Sequence, residues 1–467
     1  MAGRGISTLV VRNAEVEGGR VDVRIEGDVV SALGPAGTMA AADAVIDGAG
    51  GALLSGLHDH HLHLMSMAAA VRSVDVGVDL DAAIASAHQR TDAGEWVRAV
   101  GYDEAVHGSV DRWRLDALAP GRAVRLQHRS GAMWVLSSAA VVGLGALPSG
   151  IDGLERDAAG EPTGRLYRLD GWLRSRLPED PAPDLGAIGR RLVSYGVTGV
   201  TDCTATDATG DFDVLAAAVR AGDLPITVMT TGGVALAEVT PPDPLRRGPV
   251  KVVLSDHDLP SLADVAGWFH HAHRAGRPVA LHCVTRAALV LALAAWGDVG
   301  AVPGDRIEHG SVVPIELTTL IAELGIAIVT QPAFIAARGD MYLRDVDPLD
   351  RGDLYRCASL IAAGIEVGGS TDAPFGPDDP WIAMTAAVHR RTESGATVGS
   401  GEALSSGAAL ALFLAPLEHP GGPARPVAVG ARADLCLLGS PLANVLADPS
   451  SRHVRATISG GQVVHQA

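Results

Sequence analysis

The sequence predicts an α/β fold: a (β/α)8 barrel of the TIM type joined to a small β-sandwich made from the two chain ends. Three observations carry this. The middle of the chain alternates short β-branched runs with Ala- and Leu-rich helical stretches, the pattern of repeated βα units on a parallel sheet. Both ends read as strands separated by turn residues and show no helical period. At 467 residues the chain exceeds one small core, so a large domain with an accessory one is expected. The expected division is 1–55 with 416–467 for the β-sandwich and 56–415 for the barrel, with an insertion at about 70–190.

At the N-terminal end STLVVRNAEV and VDVRIEG are separated by EGGR, and DVVSALG and ADAVIDG follow at short spacing. At the other end RADLCLLGS and VRATISGGQVVHQA read as strands with a Gly-Gly hairpin turn. Between them the expected barrel strands are VTGVTDC (197–203), VKVVL (250–254), PVALHCV (278–284), RIEHGSVV (306–313), IAIVTQPAF (326–334) and IEVGGSTDAP (365–374). Amphipathic segments such as LADVAGWFHHAHRAG and IELTTLIAELG lie between strands. Residues 70–190 are less regular, hold Trp96, Trp113, Trp134 and Trp172, and are expected to form an insertion that shapes a pocket.

Composition excludes several classes. The net charge of −17 argues against a nucleic-acid partner, since phosphate binding requires a basic face. No apolar run reaches the length of a membrane span, and the opening MAGRGISTLVVRNAEV lacks the apolar stretch of a secretory signal. Cys203, Cys283, Cys357 and Cys436 lie far apart without CxxC spacing, as expected of free thiols in a reducing cytosol. No glycine-rich phosphate loop follows a strand, which argues against a nucleotide-binding or redox protein.

The densest chemical signal is Leu57-His58-Asp59-His60-His61-Leu62-His63, where the first barrel strand should end. Residues i and i+2 of a strand point to the same side, so His61 and His63 can reach one metal ion. His58 and His60 form an equivalent pair, and a solvated histidine loop is a third reading. His282, His309 and Asp372 fall at the ends of later strands, the edge where barrel enzymes place their chemistry. Each alone is more simply a structural residue; their placement on successive βα units favours a joint metal site. His271 and His273 share the same spacing but sit in a helical stretch, where i and i+2 diverge, and they are not expected to share a metal. Of the remaining histidines, His128 and His257 are the ones most expected to line a pocket.

SGLHDHHLHL resembles the PGFxDxHxH signature that opens the barrel of the amidohydrolase superfamily, with Ser55-Gly56-Leu57 in place of PGF. PVALHCV, RIEHG and VGGSTDAP resemble its strand-5, strand-6 and strand-8 motifs, and GARADLCLL with ATISGGQVV resembles its C-terminal ending. VRAVGYDEAVHG, LDALAPGRAVRLQHRSGAMWVLSSAAV, GVTGVTDC and VTQPAF are similar to the amidohydrolase-3 (YtcJ-like) branch. The resemblance implies a hydrolase acting on an amide, N-acyl or N-formyl C–N bond of a small molecule through a metal-activated water. It also implies His61, His63 and Asp372 on one divalent metal, His282 and His309 on a second, and Asp372 as proton shuttle. Imidazole and carboxylate ligands suit Zn2+, with Mn2+ and Fe2+ as open alternatives.

Lys251 is the only lysine among 37 basic residues, and it sits in PVKVVL at the fourth main strand. There the resemblance implies a lysine carboxylated by CO2 that bridges two metals. Only a lysine that can lose its proton reacts in this way, which arginine cannot do. The alternatives stay open: one metal on His61, His63, His282 and Asp372 with His309 orienting water, as in deaminases of ring amidines, or a non-catalytic protein on the same barrel. Tyr102, Arg125, His128, Arg129, Trp134, Phe334, Arg338 and Tyr342 are candidate substrate contacts. A homodimer is expected by analogy with this architecture alone.

Overall fold

The computed structural model describes residues 8–467 except 41, 93, 146, 148–149, 178–182, 206–209 and 255–257. It separates into two compact units, Met1–Leu64 with Leu185–Ala467, and Met65–Asp184.

The first unit opens with β1 (Thr8–Val16), β2 (Gly19–Glu26), β3 (Val29–Pro35) and β4 (Ala44–Asp47), in one sheet ordered β3-β2-β1-β4. Glu17 and Gly18, at φ 49° and 78°, make the two-residue β1–β2 turn, whose left-handed conformation matches the twist of an antiparallel pair. β5 (Leu53–Ser55) and β6 (Leu57–Leu62) follow without a helix between them.

The second unit holds β7 (Val74–Asp75), β8 (Val97–Tyr102), β9 (Val124–His128), β10 (Met133–Leu136), β11 (Leu154–Arg156) and β12 (Pro162–Tyr167). They form one mixed six-stranded sheet, β11-β12-β10-β9-β8-β7, over a core that includes Val76, Leu80, Ile84, Val97, Leu126 and Val135. Sequence periodicity missed this sheet. Its strands run from two to six residues and alternate with short capped helices, so no period persists long enough to be read.

Back in the first unit come β13 (Val197–Asp202), β14 (Thr227–Thr230), β15 (Leu245–Arg247), β16 (Val250–Val253), β17 (Val279–Cys283), β18 (Arg306–His309), β19 (Ala327–Thr330) and β20 (Val367–Gly369). All pair in parallel, as β15-β14-β13-β6 and as β16-β17-β18-β19-β20. Every residue of β6, β13, β14, β18 and β19 is buried, as expected of parallel strands covered on both faces. Backbone hydrogen bonds also link the two sheets: Lys251 N to Gly232 O at 3.0 Å, Asp372 N to His61 O at 2.8 Å and His63 N to Ala373 O at 2.9 Å. β18 is shorter than the expected 306–313, because His309 and Gly310 turn to φ 72° and 50° and end the ladder.

β21 (Leu435–Leu438), β22 (Val454–Ser459) and β23 (Gln462–Gln466) complete an antiparallel sheet ordered β23-β22-β21-β5, so a strand from each end of the chain is paired in it. One apolar core draws Leu9, Val11 and Val23 from the β1–β4 sheet and Leu435, Leu437 and Ile458 from this one.

Candidate metal centre

β6 runs into the site. His61 and His63 lie on one side with ring centroids 5.3 Å apart. His58 and His60 are directed elsewhere, His58 against Gly199 of β13 and His60 against Gly368 of β20. Asp372 follows β20, and its Oδ1 lies 3.1 Å from His63 Nε2 and 3.6 Å from His61 Nε2. Its Oδ2 is 3.9 Å from His309 Nδ1. His309 packs against His61 (centroids 4.8 Å) and against His282 (4.6 Å). The structure therefore gathers His61, His63, His282, His309 and Asp372 in one cluster.

Lys251 stands apart in kind. In register it is level with Ala280 and Arg306, one same-face step below His282 and Glu308. Its buried Nζ has no hydrogen-bond partner among the described residues. Its charge nevertheless reaches His61, His282 and His309, so it borders the same cluster.

His309 and Asp372 have φ of 72° and 53°, in the left-handed region that non-glycine residues seldom occupy. Such backbone costs of order 1–3 kcal/mol per residue and persists where surrounding contacts enforce it. Asp372 is held by its N–H bond to His61 O and by Phe375 N, which donates to Asp372 O at 2.8 Å.

The electrostatics produce a donor set. Burial, with the Lys251 charge behind it, pushes His61 down to about 3. Burial and the neighbouring His309 hold His282 well below its usual range, and burial lowers His309 as well. Burial alone would raise Asp372, but the hydrogen bond from His63 and the surrounding imidazoles hold its carboxyl far below the ordinary carboxylate range. Neutral imidazoles and an ionised carboxylate thus converge near neutral pH. The ligand atoms of His61, His63 and Asp372 all lie within 4.8 Å of one another. This donor chemistry fits a divalent cation.

Several residues around the cluster were quoted in sequence motifs without a role. Glu308 is fully buried and places Oε2 2.5 Å from His61 Nδ1 while Oε1 accepts from Arg306 Nε at 2.7 Å. Asp59 accepts from His61 N at 3.2 Å, Thr371 N at 3.1 Å and Thr371 Oγ1 at 2.5 Å, tying β6 to the segment that carries Asp372. Burial raises Asp59 to about 7. Gln331 Oε1 lies 2.8 Å from His309 Nδ1. A signal existed for Arg306 and Glu308: two charged residues in a four-residue strand that must be buried imply a partner for each.

The expected substrate contacts are dispersed. Phe334 is buried, with the Arg338 guanidinium 4.1 Å from its ring centroid, and Arg338 Nη2 donates to Phe375 O at 2.6 Å. Phe375 in turn packs edge-on to His63 at 5.5 Å. The Tyr342 and Tyr355 hydroxyls are 3.1 Å apart. In the second unit Tyr102 is fully buried, its hydroxyl donating to Gly108 O and accepting from Val110 N. Trp134 is also buried and donates Nε1 to Asp170. Both side chains are thus engaged inside their own unit. Arg125 is buried in that unit too, and Arg129 pairs with Asp103 at 2.6 Å. His128 Nδ1 bonds Ser130 Oγ at 2.7 Å. His257 lies outside the described residues.

The sequence profile of the amidohydrolase family matches residues 44–465. The chain is 27% identical to N-substituted formamide deformylase of Arthrobacter pascens, an alignment covering 91% of this chain and 89% of that protein. It is 23% identical to the protein YtcJ of Bacillus subtilis (strain 168), covering 89% of each. Among solved structures it resembles a metal-dependent hydrolase from Pyrococcus horikoshii OT3, with a TM-score of 0.69 and 20% identity over 87% of this chain and 92% of the other, so the fold is shared. The family match makes the chain a hydrolase that acts on carbon–nitrogen bonds. The chain belongs to the amidohydrolase family.

Proposed function

We propose that this enzyme hydrolyses an N-acyl or N-formyl amide of a small molecule, with His61, His63, His282, His309, Asp372 and a carboxylated Lys251 as the residues that hold its metal. The observation that carries the reading is Asp372, an ionised carboxylate hydrogen-bonded to His63 with His61 and His309 beside it. A divalent cation, zinc by the chemistry of these donors, would acidify a water and polarise the substrate carbonyl. Asp372 takes the proton as the water oxygen bonds to the carbonyl carbon. It then delivers that proton to the nitrogen as the C–N bond breaks, leaving a carboxylic acid and an amine. The N-formyl class is supported by similarity to the Arthrobacter pascens deformylase. On the substrate side, Phe375 against His63, with Arg338 and Phe334 behind it, supports these residues as one wall.

We read the two parallel sheets as one closed barrel over 56–415, with β15 and β16 as a single interrupted stave; the hydrogen bonds at both junctions support closure. The shared core of the two terminal sheets supports a β-sandwich from 1–55 and 416–467, and Met65–Asp184 is then the insertion. Among the described residues no helix is long and apolar enough to cross a membrane. Four buried cysteine thiols, none of them in a disulfide, support a reducing, cytosolic location. A homodimer rests on analogy of architecture.

One observation favours a second reading. His282 and His309 lie outside the tight set formed by His61, His63 and Asp372. One metal on His61, His63 and Asp372, completed by His282 and with His309 orienting water, would suit a deaminase of ring amidines. The test is metal per chain by elemental analysis of protein prepared with bicarbonate and without chelator, alongside Lys251→Ala and a screen of N-substituted formamides. About two metals, falling sharply in the variant, with formate released, supports the proposal. About one metal, unchanged in the variant, overturns the bridge and moves ring amidines forward.

A further inference from the structure

Both carboxylate oxygens of Glu308 are committed. Oε1 accepts from Arg306 Nε at 2.7 Å and Oε2 lies 2.5 Å from His61 Nδ1, inside a fully buried strand. Cys203 Sγ, 3.9 Å from Oε1 and 3.8 Å from Arg306 Nη2, closes the space around the pair. His61, Cys203 and Glu308 bring potential ligand atoms within 4.8 Å, but His61 presents Nδ1 to this group, and that nitrogen is occupied by the carboxylate. A buried carboxylate, held by a buried guanidinium, requires Nδ1 to carry the proton. The lone pair is then on Nε2, the nitrogen that faces Asp372 at 3.6 Å.

His309 has a different partner. The Ser370 hydroxyl donates to Thr330 O at 3.1 Å, so Ser370 Oγ accepts from Gln331 Nε2 at 2.9 Å. Gln331 Oε1 must therefore face His309 Nδ1, at 2.8 Å, and the proton of His309 is also on Nδ1. The two imidazoles share a tautomer, but one leans on an anion and the other on a neutral amide. An imidazole hydrogen-bonded to a carboxylate is the more basic ligand.

We infer that Glu308, clamped by Arg306, is a positioning residue that orients His61 through Nδ1 and makes the His61–His63–Asp372 half of the centre the tighter cation site. This rests on the metal-site reading above. It assigns a function to the charged pair in RIEH that metal ligation leaves unexplained. Glu308 itself touches neither the cation nor the substrate.

The experiment compares Glu308→Gln and Glu308→Ala with wild type by Zn2+ affinity in chelator competition, X-ray absorption of the loaded protein and melting of the metal-free protein. Gln keeps the shape but has one oxygen for two donors, so it cannot serve both Arg306 and His61. The expected result is roughly 10- to 100-fold weaker Zn2+ binding at the tighter site in Glu308→Gln, an unchanged number of first-sphere ligands and metal-free melting close to wild type. Wild-type Zn2+ affinity in Glu308→Gln overturns the inference, and so does a lost first-sphere ligand, which would make Glu308 a ligand. If Glu308→Ala fails to fold, Glu308→Gln decides alone. A wild-type chain that binds no Zn2+ overturns the site reading itself, a distinguishable failure.

Discussion

His63 Nε2 lies 3.1 Å from Asp372 Oδ1 across 309 positions of sequence, and the backbone repeats the link where His63 N donates to Ala373 O. The residue read as proton shuttle is therefore anchored to the first strand of the site by side chain and main chain together. Asp372→Asn keeps the shape and removes the proton acceptor. We expect kcat to fall by roughly 10²- to 10⁴-fold with the fold retained, measured as amine release under saturating metal. A variant within a few-fold of wild type would remove Asp372 from the proton path.

Lys251 permits a sharper test than its removal. Arginine preserves positive charge and cannot form a carbamate. Bicarbonate in the loading buffer should raise the metal content of wild type and leave Lys251→Arg unchanged. Equal dependence on bicarbonate in both proteins would rule out carboxylation at this residue.

Acid should destabilise the metal-free protein well above the carboxylate range. His60 and His61 are held down to about 3 by burial, and His58, His282 and His309 are lowered too. Because their folded-state pKa lies below the unfolded value near 6.5, the unfolded chain takes up protons first. Stability is complete above pH 6.5 and is lost as pH falls below it, for His60 and His61 down to about pH 3 and by up to about 1.4 kcal/mol per pH unit each. Asp59, raised to about 7, works in the opposite direction and offsets about one of them. Chemical denaturation at pH 7, 6 and 5 should show a steady fall, and a flat profile would contradict the buried neutral imidazoles.

Gly51→Ala probes the join between the chain ends. A Cβ there would stand 1.8 Å from Leu438 O, beside the bond from Leu438 N to Ala52 O. Overpacking against main chain should cost about 1–3 kcal/mol, read as a lower melting temperature with unchanged metal content. An unshifted melt would mean that the β5–β21 pairing yields easily.

His273→Ala serves as the contrasting case to His61. His273 lies on the helix Leu262–Arg274 and its Nε2 is 3.1 Å from the Asp305 carboxylate, away from the metal-ligand cluster. Metal content should not change while stability falls, because a buried carboxylate loses a partner. Loss of metal in this variant would show that the helix supports the centre.

What the sequence by itself determined follows from short-range geometry. Side chains alternate along a strand, so His61 and His63 had to share a side, while the same spacing in a helix separated His271 from His273. Gly-rich pairs between β-branched runs likewise marked the terminal hairpins, because left-handed turn positions favour glycine. Tertiary structure decided what depends on register between distant strands. The His61–Glu308 pair spans 247 positions and the Asp59–Thr371 pair 312. Neither leaves a periodic trace, since a hydrogen bond between strands is set by which residues come level after the sheet forms. The second-unit sheet was hidden for a related reason: its strands are too short to repeat a pattern, and their pairing, not their periodicity, makes them strands.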